Sequence, residues 1–242
     1  MRFKIFFFGL FLLINFSIKS QTRAIDSVHT SSLLKKSILP TALISIGVFF
    51  NNSRFEKKLK INLRNAVGNT YEFKIDNYIQ FVPAIELLGA NIIGVKGKNH
   101  WFDQSKYLFL SNLLSATITF NLKKWTGKVR PNGIGNLSFP SGHTAFAFTN
   151  ATVLYEEYKD SSLFLAYSGF GFATTTGAFR MINNKHWLSD VLVGAGIGML
   201  STYIVYHFKP FKNFNPFKKY KNVTFFPIIF ENKKGIYFTY KL

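Results

Sequence analysis

The stretch that decides the fold lies between residues 123 and 190; it begins KKWTGKVRPNGIGNLSFPSGH and ends RMINNKHWLSD. Three short motifs stand out in it: KKWTGKVRP at 123–131, PSGH at 140–143 and RMINNKHWLSD at 180–190. Each motif borders an apolar stretch of helical length, so each is expected at the end of a helix. Alternating antiparallel helices would bring these ends to the same side of a bundle.

The motifs supply groups suited to a phosphate ester. Lys123, Arg130 and Arg180 are three cations that can neutralise phosphate oxygens, and the arginines can bind them in bidentate fashion. Ser141 is a good N-cap, and Gly142 lets backbone N–H groups at the helix start approach an anion closely. Together these residues predict a phosphate-binding site.

Two histidines and one carboxylate complete the chemistry. His186 and Asp190 are spaced i, i+4, so on one helix the carboxylate would fix the imidazole tautomer and leave the other nitrogen free to attack. His143, just inside the helix that PSGH opens, is placed to protonate a leaving oxygen as general acid. Taken singly, the lysines are compatible with a solvated helix end, PSGH with a loop and cap, and the His–Asp pair with a structural hydrogen bond. Their joint occurrence in order favours catalysis.

The three motifs resemble those of the type 2 phosphatidic acid phosphatase superfamily, which also contains bacterial acid phosphatases and vanadium haloperoxidases. In that family's pattern, six residues separate Lys from Arg-Pro, Pro-Ser-Gly-His follows, and then Ser-Arg, five residues, His, three residues and Asp. The resemblance covers about residues 105–208. It implies phosphate binding by Lys123, Arg130, Ser141, Gly142 and Arg180, with His186 as nucleophile, His143 as acid and Asp190 as the residue that orients His186. One departure is Phe179, where the family usually has a small residue before the arginine; it concerns the packing around Arg180.

The family fold is a helical bundle with its site at one end, and the apolar periodicity agrees with it. We expect an all-α, antiparallel bundle of about six helices within a domain at 33–208. The helices are predicted at 33–50, 77–95, 105–122, 141–158, 163–179 and 186–208. The basic segment 54–64 predicts an amphipathic helix, either against a membrane surface or simply solvated. The tail at 209–242 is basic and aromatic, and its alternation after 223 predicts a β-hairpin.

The N-terminus has the features of a signal peptide. Arg2 and Lys4 precede an apolar run at 5–16, and small and polar residues follow at 17–22. We expect a signal peptide at 1–20, with an N-terminal anchor as the alternative, and an exported protein that is membrane-associated or integral. The equally basic segments 54–64 and 209–221 leave the topology open under the positive-inside rule. In either arrangement we expect the site to face the periplasm.

Composition limits the remaining choices. The chain has no cysteine, which excludes disulfides, zinc–thiolate sites and iron–sulfur clusters. Its 30 Lys and Arg against 11 Asp and Glu favour anionic partners. The basic residues are scattered and no nucleic-acid motif accompanies them, so nucleic acid is not expected. No acidic and histidine cluster has metal spacing, and we expect neither a metal nor another cofactor.

The sequence therefore predicts a metal-independent phosphatase that works through a phosphohistidine. The expected substrate is a membrane lipid phosphate such as undecaprenyl pyrophosphate, phosphatidic acid or lipid A. Aromatic residues near the motifs suit a lipid-facing site, although each is also explained by ordinary packing: Trp101, Phe102, Trp125 and Trp187. The alternatives are a periplasmic acid phosphatase acting on soluble monoesters, a vanadate haloperoxidase, and a non-catalytic membrane protein that binds anionic lipid.

Overall fold

The computed structural model describes the backbone of residues 26–208, 223–230 and 233–240, and the side chains of residues 33–208. The expected signal peptide at 1–20 and the basic stretch at 209–221 lie outside the described residues. The chain divides after His207 into a helical unit and a C-terminal unit.

The helical unit confirms the all-α prediction. Its described residues form eight helices: α1 (Asp26–Phe50), α2 (Arg54–Val67), α3 (Asp76–Ile79), α4 (Val82–Ile92), α5 (Trp101–Thr126), α6 (Gly142–Tyr158), α7 (Leu163–Ile182) and α8 (Leu188–His207). Serine side chains cap α2, α6 and α7 by accepting a backbone N–H three residues on. Gly127, in the left-handed region at φ 54°, ends α5.

Two predicted helices have different bounds in the structure. The single helix expected at 77–95 is two, α3 and α4, because the chain turns at Gln80 and Phe81 before Pro83 enters the first turn of α4. The helix expected from residue 186 begins at Leu188, so His186 lies just before it rather than on its face.

Helix α8 is the centre of the bundle and packs against α1, α5 and α6, while α6 also packs against α7. Glycines make its contacts close. A Cβ at Gly198 would meet the backbone of α6, lying 2.8 Å from Thr149 N, and one at Gly194 would lie 2.6 Å from Ser141 O. The backbones of α6 and α8 therefore touch directly, and this contact sets the spacing between the helix that begins with PSGH and the helix that carries Asp190.

Helix α2 is the predicted amphipathic helix, and it is longer than the expected segment 54–64. Lys57 and Lys58 are exposed, and Phe55 and Ile61 are each 54% exposed, so contact of these two with a membrane surface stays a prediction. Glu56 and Arg64, by contrast, are buried. Helix α2 thus lies at the periphery of the bundle and buries the carboxylate of Glu56 on its inner face.

Within the part of the chain that the structure describes, two helical segments are long and apolar enough to cross a membrane, Leu33–Phe50 and Leu188–His207. Only 11% of the first is buried inside the helical unit, whereas 78% of the second is. The second therefore has the burial of a core helix, and the first leaves most of its apolar surface uncovered.

The C-terminal unit contains the predicted hairpin. Strands β1 (Val223–Phe230) and β2 (Lys233–Tyr240) pair antiparallel, with Val223 opposite Tyr240 and Phe230 opposite Lys233.

Candidate active site

The three motifs meet at one end of the bundle. Lys123 lies in the last turn of α5, His143 in the first turn of α6, Arg180 near the end of α7, and His186 immediately before α8. Both histidines interact electrostatically with Lys123 and Arg180. The structure thus brings the predicted residues together.

The cations are held largely by the protein itself. Lys123 Nζ donates hydrogen bonds to Leu137 O at 2.7 Å and to Ser138 O at 3.3 Å. The pKa of Lys123 is lowered to about 8, mainly by burial; Asp190 raises it, and Arg130 and Arg180 contribute to lowering it.

Two guanidinium groups retain hydrogen-bonding capacity. Arg180 Nη1 pairs with Asp76 Oδ2 at 2.7 Å, but Arg180 Nε and Arg130 Nε are buried with no hydrogen-bond partner among the described residues. A buried donor without an acceptor costs roughly 1–3 kcal/mol. Such donors next to a lysine fit an oxyanion ligand, which would supply the acceptors.

The PSGH turn forms the start of α6. Ser141 N donates to Asp190 O at 2.9 Å, and Ser141 Oγ accepts from Thr144 Oγ1 at 2.9 Å and from Thr144 N at 3.5 Å. A Cβ at Gly142 would lie 3.8 Å from Lys123 Cε, so this glycine leaves the lysine stem beside the helix start. The first N–H groups of a helix lack intrahelical acceptors, which suits this turn to an anion.

His186 is held in one orientation by Asp190. Its Nδ1 lies 3.3 Å from Asp190 Oδ2, and the same oxygen accepts from Trp187 N at 2.9 Å and from Ser138 Oγ. An acceptor-only carboxylate at Nδ1 places the proton there and leaves the Nε2 lone pair free. Burial lowers the pKa of His186 to about 4 despite the opposing effect of Asp190, so the imidazole is neutral at neutral pH.

His143 makes a different contact. Its Nε2 lies 3.0 Å from Asn77 Oδ1, and the ring is only partly buried. Burial lowers the pKa of His143 to about 4, and the positive charge of Arg180 contributes. A dianionic phosphate beside Arg180 would oppose that charge, so the proton needed for acid catalysis is favoured when substrate is bound.

The structure adds residues that the sequence analysis did not assign. Helix α3 supplies Asp76 and Asn77, which contact Arg180 and His143. Lys128 and Ser138 reach Asp190 from the segment between α5 and α6. Lys128 lies within the first motif, where it was grouped with solvated lysines. The others stand outside the motifs, and only the scarcity of acidic residues in this chain could have drawn attention to Asp76.

Phe179 is accommodated by a local contact. Its ring centroid lies 5.9 Å from that of Phe73, and Asn183 holds the Phe73 backbone through bonds of 3.0 Å to its N–H and 2.9 Å to its carbonyl oxygen. Asn183 Nδ2 also donates to Asp76 Oδ1 at 2.9 Å. The large side chain before Arg180 thus packs on the segment that delivers Asp76.

No three His, Asp or Glu side chains are grouped as metal ligands would be within residues 33–208. The expectation that no cofactor is needed stays a prediction.

A model of the PAP2 superfamily matches residues 104–214, which include every predicted site residue. Residues 104–214, which are just under half of the chain, are therefore similar to the PAP2 superfamily. A lipid A 1-phosphatase of Porphyromonas gingivalis is 37% identical over 142 residues, which are 57% of this chain and 31% of that protein. The chain thus corresponds to about a third of the length of that relative.

Two solved structures are similar in outline. The LpxE structure from Aquifex aeolicus has 25% identity and a TM-score of 0.46, covering 62% of this chain and 96% of its own. A transmembrane PAP2-type phosphatidylglycerolphosphate phosphatase from Bacillus subtilis has 19% identity and a TM-score of 0.43, covering 88% and 98%. Both TM-scores lie below 0.5, so these two structures do not indicate a substrate for this chain.

Proposed function

We propose that this protein is a metal-independent phosphatase that removes phosphate from a membrane lipid through a phosphohistidine on His186. The observation that carries the proposal is a buried, neutral His186, oriented by Asp190, beside cations whose Nε donors at Arg130 and Arg180 lack partners among the described residues. This is the arrangement that nucleophilic attack on a phosphate ester requires.

The first half of the reaction breaks the ester bond. Lys123, Arg130 and Arg180 hold the phosphate oxygens and lower the charge that the nucleophile meets. His186 Nε2 attacks phosphorus, the P–O ester bond breaks, and the leaving oxygen takes a proton from His143. The products are a free alcohol and a phosphorylated His186 whose Nδ1 proton remains on the Asp190 side.

The second half restores the enzyme. His143, now without its proton, removes a proton from water as the water oxygen attacks phosphorus. The P–N bond breaks, the electron pair returns to His186 Nε2, and inorganic phosphate leaves. Each histidine thus ends the cycle in its starting protonation state.

The exposed surface supports a lipid substrate. Trp101 and Trp125, at the two ends of α5, are 50% and 51% exposed, and Phe109 and Phe120 between them are 67% and 56% exposed. Most of the apolar segment in α1 is uncovered as well. A large exposed apolar surface marks contact with a membrane or a partner. We therefore place the enzyme at a membrane, with phosphatidic acid, undecaprenyl pyrophosphate and lipid A as candidate substrates.

Turnover by purified protein tests the reaction. Phosphate release is measured with EDTA present, from the three lipid phosphates and from an aryl phosphate, for the wild type and His186→Ala. We expect EDTA-resistant release from a lipid, lost in the variant, and an alkali-stable, acid-labile phosphate on the peptide containing residue 186 after rapid quench. Faster turnover of the aryl phosphate than of any lipid would favour a soluble monoesterase, and full activity in His186→Ala would refute the mechanism.

We also propose that the site faces the periplasm. The test places a single cysteine at Ile134, which is 72% exposed in the loop between α5 and α6, and treats intact spheroplasts with an impermeant thiol reagent. The chain has no natural cysteine, so only this position reacts. Labelling before lysis supports the orientation, and labelling only after lysis contradicts it.

A further inference from the structure

The inference concerns a buried charge pair behind the nucleophile and rests on the proposed role of His186. We infer that Glu56 and Lys128 are positioning residues, which together set the proton affinity and orientation of His186 through Asp190. Neither residue belongs to the set implied by the family resemblance, and neither touches the reacting atoms.

Lys128 links the two carboxylates. Its Nζ lies 2.9 Å from Glu56 Oε1, 3.1 Å from Asp190 Oδ1 and 2.7 Å from Ser189 Oγ. The Lys128 side chain is 9% exposed and the two carboxylate side chains at most 1%. The ammonium therefore occupies one oxygen of Asp190, while the other oxygen is left for His186 and its neighbours.

Glu56 is fixed from both sides. Its Oε2 accepts from Ser189 N at 3.1 Å at the start of α8, and its Oε1 also accepts from Asn52 N at 3.2 Å. Its own backbone N–H donates to the α2 cap, Ser53 Oγ, at 3.1 Å. A carboxylate held by these bonds gives Lys128 a defined position, and it joins α2 to the helix that carries Asp190.

The charges of Glu56, Lys128 and Asp190 determine how these residues affect the proton affinity of His186. One ammonium between two carboxylates leaves a net charge of −1, which stabilises positive charge on the His186 ring. Lys123 and Arg180 face the ring from α5 and α7 and act in the opposite sense. Lys60 lines the same small cavity as His186, and the neighbouring Lys185 is paired with Glu72 at 3.2 Å.

A structural role alone is a poor explanation of this pair. A buried ion pair often adds little net stability, because desolvation of the two charges offsets their attraction. The same bundle holds another lysine–glutamate pair that does not reach the site: Lys36 Nζ, on a side chain that is 33% exposed, lies 2.7 Å from Glu156 Oε1 near the far end of α6. That pair serves as the control.

Substitutions of Lys128 and of Glu56 are predicted to shift the pKa of His186 in opposite directions. Lys128→Met removes a positive charge and raises the pKa of His186, whereas Glu56→Gln removes a negative charge and lowers it. Each shift is expected to be on the order of one pH unit. The double variant Glu56→Gln/Lys128→Met removes both charges and is expected to return close to the wild-type pKa. A purely structural pair would instead lower stability without opposite shifts.

An NMR titration measures the pKa of His186 directly. Full-length protein with ¹⁵N-labelled histidine is titrated by NMR for the wild type, both single variants, the double variant, and the controls Lys36→Met and Glu156→Gln. The pH dependence of kcat and KM is measured beside it. We expect opposite shifts in the two single variants, a fall in kcat with KM little changed, and no His186 shift in the controls.

The outcomes separate this inference from the proposed function. Opposite shifts in a protein that hydrolyses nothing would support the positioning role and refute the phosphatase. An unmoved His186 pKa in both variants, or shifts of equal size in the controls, would overturn the inference even in an active enzyme. Should Lys128→Met fail to fold, Glu56→Gln and the conservative Lys128→Arg provide the comparison: a lowered pKa in the first and a near-normal one in the second are required.

Discussion

Arg180 and Asp76 form a buried ion pair at 2.7 Å although 104 residues separate them in the chain. The carboxylate comes from α3, a helix of a single turn that the sequence analysis merged into a longer one. Asp76 holds the guanidinium of Arg180, a residue predicted to bind phosphate, in place. Arg180 Nε remains available for the phosphate.

Replacing Asp76 with Asn tests that role. A buried arginine that loses its partner costs about 3–5 kcal/mol of unfolding free energy, because the charge remains without compensation. Orthovanadate, a phosphate mimic, would restore part of that compensation. We expect a lowered melting temperature in Asp76→Asn and a larger upward shift with vanadate than in the wild type. An equal vanadate shift in both proteins would show that Asp76 does not act through Arg180.

The proposed acid predicts a dependence on the leaving group. His143→Ala is expected to slow hydrolysis of alkyl phosphates by about 10²–10⁴, the usual contribution of a general acid. Aryl phosphates release acidic phenols that need little protonation, so His143→Ala should reduce the rate of their hydrolysis much less. Rates over a series of leaving groups measure this as a steeper slope in the variant. Parallel slopes would assign the proton to another group.

The pKa of Lys123 predicts an alkaline limit. Burial lowers that pKa to about 8, and only the protonated lysine attracts phosphate. Above pH 8 kcat/KM should therefore fall, by about tenfold per unit for one proton. Lys123→Arg keeps its charge at high pH and should move this limit upward. Lys124→Arg, at the exposed neighbouring position, is the control and should leave the limit where it is.

The contact between α6 and α8 predicts a sharp effect of one methyl group. In Gly198→Ala the new Cβ meets backbone atoms of α6 that cannot move aside, and overpacking of this kind costs about 1–3 kcal/mol. Gly171→Ala, on the exposed face of α7 with nothing within 4 Å, should be neutral or gain up to about 1 kcal/mol from helix propensity. Denaturant unfolding of the two variants measures the difference, and equal midpoints would refute the close contact.

The sequence predicted well whatever depended on local pattern. Apolar periodicity located the long helices, and the motif spacing placed His186, Asp190 and the cations at helix ends that the structure brings together; their catalytic and binding roles stay predictions. The sequence did not predict contacts between residues that are far apart in the chain. Nothing near Glu56 shows that its carboxylate meets Lys128, 72 residues away. The position of His186 before α8 was also missed, since i, i+4 spacing does not distinguish a helix turn from the loop that enters it.

The direct backbone contact between α6 and α8 also limits how the proposed phosphatase can acquire new substrates. The PSGH turn and His143 lie at the start of α6 and Asp190 lies on α8, and no side chain fits at Gly194 or Gly198 between these two helices. The proposed reaction centre is therefore constrained by this contact, whereas the exposed positions 133–137 lie near the site without sharing that constraint. Selection for altered specificity should accumulate changes there and leave Gly194 and Gly198 untouched, and sequencing the survivors of such a selection would show whether it does.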